Sequence, residues 1–292
     1  MRSSWLKFPK TCSNPEQRWR HTGMTFDDRR EPGVPLKSNR MHGLDLAPVK
    51  QAASRWMART GYVVRPALPA RLDEQLTATV KASIPYSLTS AERLVAMCEA
   101  VRYVTRYEIP GAIVECGVWA GGSMMAAART LLDAGVTSRD LWLFDTFAGM
   151  PEPSELDRDL RGVAASKRYR GSAGRGDPRW ACAPLDRVRR NLTSTGYPVH
   201  RCHLVKGMVE DTVPDQAPDP IALLRLDTDW YASTRHELTH LAGRVSAHGV
   251  LIVDDYGHWD GARRAVDEWL AEFPRPVLLS RLDYSGRMAV LP

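Results

Sequence analysis

The chain has 292 residues, 43% hydrophobic and 25% charged, with a formal net charge of +6. No apolar run approaches the roughly 18 residues of a membrane span, and the N-terminal MRSSWLKFPKTC lacks the apolar stretch of a secretory signal, so a cytoplasmic protein is expected. Five cysteines, an odd number with no C-x-x-C pair, argue against a disulfide scaffold or a zinc ribbon and for reduced thiols.

The positive charge is concentrated at the N-terminus. Residues 1–80 hold 14 Lys and Arg against 7 Asp and Glu, and the remainder 26 against 27. A basic arm can meet an anionic partner, but this one lacks the pattern of a nucleic-acid module, so no nucleic acid is expected. Apart from a short helix predicted over Val49–Arg59, residues 1–85 read as an extension. The main domain is expected over 86–292.

In chain order, Thr89 with Glu92 predicts a capping box. The helix that follows places Leu94, Val95, Cys98, Val101 and Val104 on one buried face. Ala112–Cys116 predicts a buried strand, then a glycine turn, a helix over Met124–Leu132 and a strand over Asp140–Asp145. From Ala148 to about Arg190, prolines and glycines punctuate a polar, Arg-rich insertion whose length predicts a functional lid. Strands at Cys202–Lys206, Ile221 onward and Gly249–Val253 follow. They alternate with helices from about Ser233 and over Gly261–Glu272. Pro276–Leu279 and Met288–Leu291 predict a closing antiparallel hairpin. This alternation predicts an α/β fold with a doubly wound, mostly parallel sheet covered on both faces.

Two stretches carry chemistry. Glu115–Ser123 has the spacing E-x-G-x-x-x-G-G-S, a strand-to-helix turn that aims backbone amides at a ligand. Tight turns need glycine anyway, so the turn gains meaning only with Asp145, placed at the end of the next strand where a carboxylate meets ribose hydroxyls. The spacing is not the dinucleotide G-x-G-x-x-G, which favours a nucleoside without a pyrophosphate, such as S-adenosylmethionine.

The second stretch is Ile221–Tyr231, IALLRLDTDWY, an apolar run ending in Asp227 and Asp229. Asp254 and Asp255 end the next apolar strand. Acids at the carboxyl ends of neighbouring strands border the ligand cleft of an open sheet. Four together repel one another unless a cation or a proton is shared, and all-oxygen ligation selects Mg²⁺, Mn²⁺ or Ca²⁺. Three can ligate while the fourth acts as a base; helix capping is the plainer alternative. Asp227 and Asp229, two residues apart, are expected to leave the pleat on the same side. His236, His240, His248 and His258 share no ligand spacing with the acids. Trp119, Trp142 and Trp230 could stack on a substrate ring or simply pack.

The ordered segments VECGVWAGGSM, LFDTFAGMPEP, KGMVEDTVP, LRLDTDWYAST and LIVDDY resemble the macrocin O-methyltransferase family, over about Tyr86 to Ala271. The resemblance implies a seven-stranded, Rossmann-like class I methyltransferase fold. It implies Mg²⁺-dependent methyl transfer from S-adenosylmethionine to a sugar hydroxyl of a glycosylated natural product or saccharide, by a homo-oligomer. Carried over by position, it places Glu115, Gly117 and Ser123 around the methionine moiety of the cofactor, Asp145 on the ribose and Glu210 or its neighbours near the adenine, with Gly121 and Gly122 of the same turn also in the cofactor-binding set. It places Asp227, Asp254 and Asp255 on the metal and makes Asp229 the general base. The family pattern D-G-D-L-Y is broken here by Thr228 and Trp230, which are expected to reshape the acceptor pocket. A metal-dependent glycosyltransferase using D-x-D, or methylation of a non-sugar hydroxyl, are the alternatives. The former leaves Asp254, Asp255 and the Glu115 turn unexplained.

Overall fold

The computed structural model describes residues 68–69, 71–172 and 181–292. The arm up to residue 67, with the helix predicted over Val49–Arg59, lies outside the described residues.

Seven strands, β1 (Ala112–Cys116), β2 (Leu141–Asp145), β3 (Cys202–Lys206), β4 (Ile221–Leu226), β5 (Val245–Val253), β6 (Ser280–Arg281) and β7 (Arg287–Val290), form one sheet in the order β3-β2-β1-β4-β5-β7-β6. The first five are parallel and β7 runs antiparallel to β5. Strands β1 and β4 are buried at every residue, as central strands between two helical layers must be. The chain winds outward from β1 to β3, then returns to β4 on the other side. The carboxyl ends of β1 and β4 therefore flank a topological switch point, where such sheets bind ligands.

The helices are α1 (Glu74–Ser83), α2 (Ala91–Arg106), α3 (Gly122–Asp133), α4 (Ala165–Ser172), α5 (Leu185–Thr193), α6 (Val209–Thr212), α7 (Tyr231–Leu241) and α8 (Asp260–Glu272). On one face, Met97, Val101 and Val104 of α2 and Met124 and Leu131 of α3 pack on Ile113, Leu223 and Ile252. On the other, Leu238 and Leu241 of α7 and Val266 and Trp269 of α8 pack on Val114, Leu224 and Val253. The period of two along each strand puts Glu115 with Ile113, and Arg225 with Leu223, on the α2–α3 face.

Several boundaries differ from the sequence reading. The N-cap of α2 is Ser90, whose hydroxyl accepts from the Arg93 amide at 3.2 Å. The Thr89–Glu92 capping box is not formed, and Thr89 donates to Asp254 instead. Helix α1 buries Leu76 and Val80 against Leu94, Val95 and Ala126, so Glu74–Ser83 packs on α2 and α3. Strand β5 begins at Val245, ahead of Gly249, and β6 is confined to Ser280–Arg281, beyond Pro276–Leu279.

The insertion carries α4 and the start of α5, and its first part is anchored. Asp157 accepts from the Tyr231 amide at 2.8 Å and from the Ser154 amide and hydroxyl at 2.7 Å, and the Trp230 indole donates to the Pro151 carbonyl at 3.0 Å. Cys98, Cys116 and Cys202 are free thiols, whereas Cys182 is disulfide-bonded, against the expectation of reduced thiols throughout. Among the described residues no helix is long and apolar enough to cross a membrane.

Candidate active site

The turn after β1 depends on its glycines for separate reasons. Gly117 has φ +81°, and a Cβ there would overlap the Asp227 carbonyl. The absent side chain is what lets the end of β1 lie directly against the end of β4. Gly121 takes φ +90° as the N-cap of α3, where only glycine is unstrained. A Cβ on Gly122 would come within 2.5 Å of the Tyr86 carbonyl oxygen.

Asp145 buttresses this turn from the end of β2. Its Oδ2 accepts from the Val118 amide at 2.7 Å and the Trp119 amide at 3.1 Å, and its Oδ1 from the Phe147 amide at 2.7 Å. Burial pushes its carboxyl up, and those amides oppose the shift. The Thr146 hydroxyl lies 3.5 Å from Oδ1 but gives its proton to the Gly149 carbonyl at 2.6 Å, so of the about four acceptor positions of an ionised carboxylate one is left for a ligand hydroxyl. Glu115 is 1% exposed and its Oε1 accepts from Arg225 at 2.5 Å. Its Oε2 is buried without a hydrogen-bond partner, with Ser123 as a polar neighbour. Burial pushes the Glu115 carboxyl up to about 7, against the pull of Arg225. On α6, Glu210 also keeps a buried oxygen without a partner.

Across the cleft, carboxylate oxygens of Asp227, Asp254 and Asp255 lie within 4.8 Å of one another. Burial raises the carboxyls of Asp227 and Asp255, with Arg225 opposing at Asp227 and the Asp229 charge adding at Asp255. Oδ2 of Asp255 is buried without a partner. Asp229 reaches the group by a route other than the pleat. Strand β4 stops at Leu226, and Asp229 adopts a left-handed φ of +67°. That backbone turns its side chain toward Trp259, whose indole N–H donates to Asp229 Oδ1 at 2.7 Å. Burial, then the charge of Asp227, pushes Asp229 up to about 7, against hydrogen bonds from Asp255 and Trp259. Carboxyls raised in this way share protons or accept a cation.

Two arginines absent from the sequence reading organise these acids. Arg225, 2% exposed, donates from Nη1 to Glu115 and to Asp227 Oδ2 (2.7 Å), and from Nη2 to Asp254 Oδ1 (2.5 Å). Arg93 of α2 pairs with Asp254 Oδ2 and, at 3.0 Å, with Asp283. The available signal was a single cation inside an otherwise aliphatic strand, IALLRL; Arg93 carried none, lying within an ordinary amphipathic helix.

One cavity of about 380 Å³ joins the two halves, bordered by Gly117, Ser123, Asp145 and Glu210 on one side and by Asp227, Asp229, Asp254 and Asp255 on the other. That volume suits a small-molecule site. Among the tryptophans, Trp119 borders the cavity. Trp230 is buried edge-on against Trp259, and Trp142 stacks on His203, so packing describes both. His258 is at the rim, while His236 Nε2 donates to the Val213 carbonyl oxygen at 2.9 Å, away from the cavity. Thr228 borders the cavity, and its hydroxyl donates to the buried Glu237 at 3.1 Å.

Residues 44–287 match the family model described as macrocin-O-methyltransferase. A tetracenomycin rhamnosyl 4'-O-methyltransferase of Streptomyces olivaceus is 31% identical over 70% of this chain and 75% of its own. Demethyldecarbamoylnovobiocin O-methyltransferase of Streptomyces niveus is 31% identical over 69% and 74%. The solved O-methyltransferase NovP superposes with a TM-score of 0.62 at 30% identity, covering 70% of this chain and 82% of that one. A calicheamicin methyltransferase, CalS11, shares the fold at TM-score 0.56 and 19% identity over 89% and 99%. With the family model spanning most of the chain and the relatives agreeing, the chain belongs to the macrocin O-methyltransferase family and is an O-methyltransferase.

Proposed function

We propose that this cleft transfers a methyl group from S-adenosylmethionine to a sugar hydroxyl of a small-molecule glycoside, with Mg²⁺ held by Asp227, Asp254 and Asp255. The observation that carries the reading is the contact at Gly117, which sets a nucleoside-type turn against an acid cluster within one cavity. The residues fit both groups. Glu115 offers a buried, unpartnered oxygen suited to an ammonium, and Asp255 offers one suited to a hard cation. The tetracenomycin relative and the mycinamicin III 3''-O-methyltransferase of Micromonospora griseorubida, 28% identical over 60% of this chain and 66% of its own, are both named for methylating positions on their glycosides.

When bound, the donor supplies an electrophilic methyl group and the cation a Lewis acid that makes a coordinated hydroxyl more acidic. The protein's residues do the rest. Glu115 and Ser123 hold the methionine end, Asp145 the ribose with its remaining acceptor capacity, and Glu210 lies near the adenine. Asp229 accepts the hydroxyl proton, a role that suits a carboxyl poised near neutral pH. Trp259 orients that carboxylate through its indole N–H. The packed pair Trp230–Trp259 keeps water from that side of the base.

The test is a binding and turnover series on the purified protein. S-adenosylhomocysteine should raise the melting temperature where a nucleotide sugar and NAD do not. Methyl transfer to glycosides should require Mg²⁺ and stop with EDTA. Full activity in EDTA would remove the metal role, and transfer to catechol-type hydroxyls but to no glycoside would remove the acceptor class.

A further inference from the structure

Near the carboxyl end of the otherwise aliphatic strand β4 stands a buried arginine. Arg225 lies opposite Glu115 in the β1–β4 register and opposite Ile252 in the β4–β5 register, two residues before Asp254. Three adjacent strands thus deliver Glu115, Arg225 and Asp254 to one face of the sheet, at one end of it. A planar guanidinium is the group that can bond several carboxylates at once in a fixed geometry; an ammonium is a single point charge.

We propose that Arg225 is a positioning residue that fixes the cofactor half and the cation half of the cleft relative to each other. This rests on the methyl-transfer reading given above. Its three partners are the acid at the methionine end and two acids of the cation set, at 2.5, 2.7 and 2.5 Å. Purely structural needs do not call for it. An apolar side chain would suit a strand buried on both faces, and replacing buried ion pairs by packed apolar groups is often neutral or stabilising. Arg225 leaves Oε2 of Glu115 without a partner and does not touch Asp255, whose Oδ2 is also unpartnered, whereas both oxygens of Asp254 are engaged by Arg225, Arg93 and Thr89. Arg93, Thr89 and Ser285 brace Asp254 from the opposite side, through its carboxylate and its carbonyl oxygen. Asp254 is therefore held from both sides, and one planar group ties it to Glu115 and Asp227.

The experiment measures S-adenosylhomocysteine binding by calorimetry and Mn²⁺ binding by paramagnetic resonance, separately, in wild type and Arg225→Lys. Wild type is expected to bind both. In the folded variant both dissociation constants should rise, each by about 10-fold or more, as for other outer-shell partners of a metal ligand. Loss of affinity at both subsites, with circular dichroism unchanged at the assay temperature, supports the proposal. Wild-type affinity at either subsite in a folded variant overturns it, even with a lower melting temperature, because a structural role alone moves only the melting temperature. Should Arg225→Lys fail to fold, Glu115→Gln replaces it, read by Mn²⁺ binding without cofactor. Glu115 is not in the cation set, so a link through Arg225 predicts an Mn²⁺ affinity lowered by about fivefold or more, and an unchanged affinity overturns the proposal. A wild-type protein that binds neither probe would instead defeat the methyl-transfer reading.

Discussion

At the carboxyl end of β1 the chain meets its ligand with backbone, and at the ends of β4 and β5 it does so with charge. The turn after β1 is shaped by three glycines and held by one carboxylate that collects three amides. The facing region crowds Asp227, Asp229, Asp254 and Asp255 around Arg225 and Arg93. At Gly117 and Gly122 the first region tolerates no added atom, because the nearest contacts there are with main chain. In the second the energy lies in buried, mutually raised carboxyls and the arginine fork between them, so both the charge and its placement matter. The two halves should therefore fail in different ways when altered.

The sharpest way to test that contrast is Asp229→Asn, which keeps the shape and removes the base. Turnover is expected to fall by ~10²–10⁴-fold, while S-adenosylhomocysteine binding and thermal stability stay near wild type. Unchanged turnover would assign proton removal to another group. Next is Gly117→Ala, which adds one methyl between the two halves at a left-handed position. A destabilisation of about 3 kcal/mol is expected from overlap with the Asp227 carbonyl together with backbone strain. Gly121→Ala, where the nearest contact is the Val188 side chain, should cost about 1 kcal/mol. Urea titrations that place the two variants together would break the distinction between close approach and conformational freedom.

The smallest effect concerns pH. Glu115 and Asp229 are pushed up to about 7 by burial. The native state therefore holds protons that the unfolded chain has already released above its ordinary carboxylate range. The stability contributed by these two groups is full at low pH and lost as pH rises through about 7. In EDTA the melting temperature should be lower at pH 8 than at pH 6. Mg²⁺ should narrow that gap, because a cation replaces the shared protons. An equal gap with and without Mg²⁺ would separate the raised carboxyls from cation binding.

Much of this arrangement was readable along the chain. Strands β1 and β3 coincide with the predicted Ala112–Cys116 and Cys202–Lys206, because runs bounded by glycine, proline or charge have one solution in a buried sheet. The four acids were identifiable for the same reason, each pair following an apolar run without a spacer. Thr89 was misassigned because Ser90 competes for the same cap, and only the position of Asp254, distant in sequence, decides which hydroxyl serves the helix. Asp229 was placed by a strand rule that ceased to apply once β4 ended at Leu226.

By itself the sequence determined the alternation of strands and helices, the order of the glycine turn and the acid pairs, and the family to which they belong. These follow from local periodicity and from residue types with few alternative uses. Tertiary structure alone decided how the charges are balanced. Arg225 meets Glu115, Asp227 and Asp254 only because parallel register aligns three strands. Arg93, on a helix that precedes all three strands, and Thr89, just ahead of that helix, reach Asp254. Electrostatic compensation acts through space over a few ångströms, and separation along the chain carries no record of it.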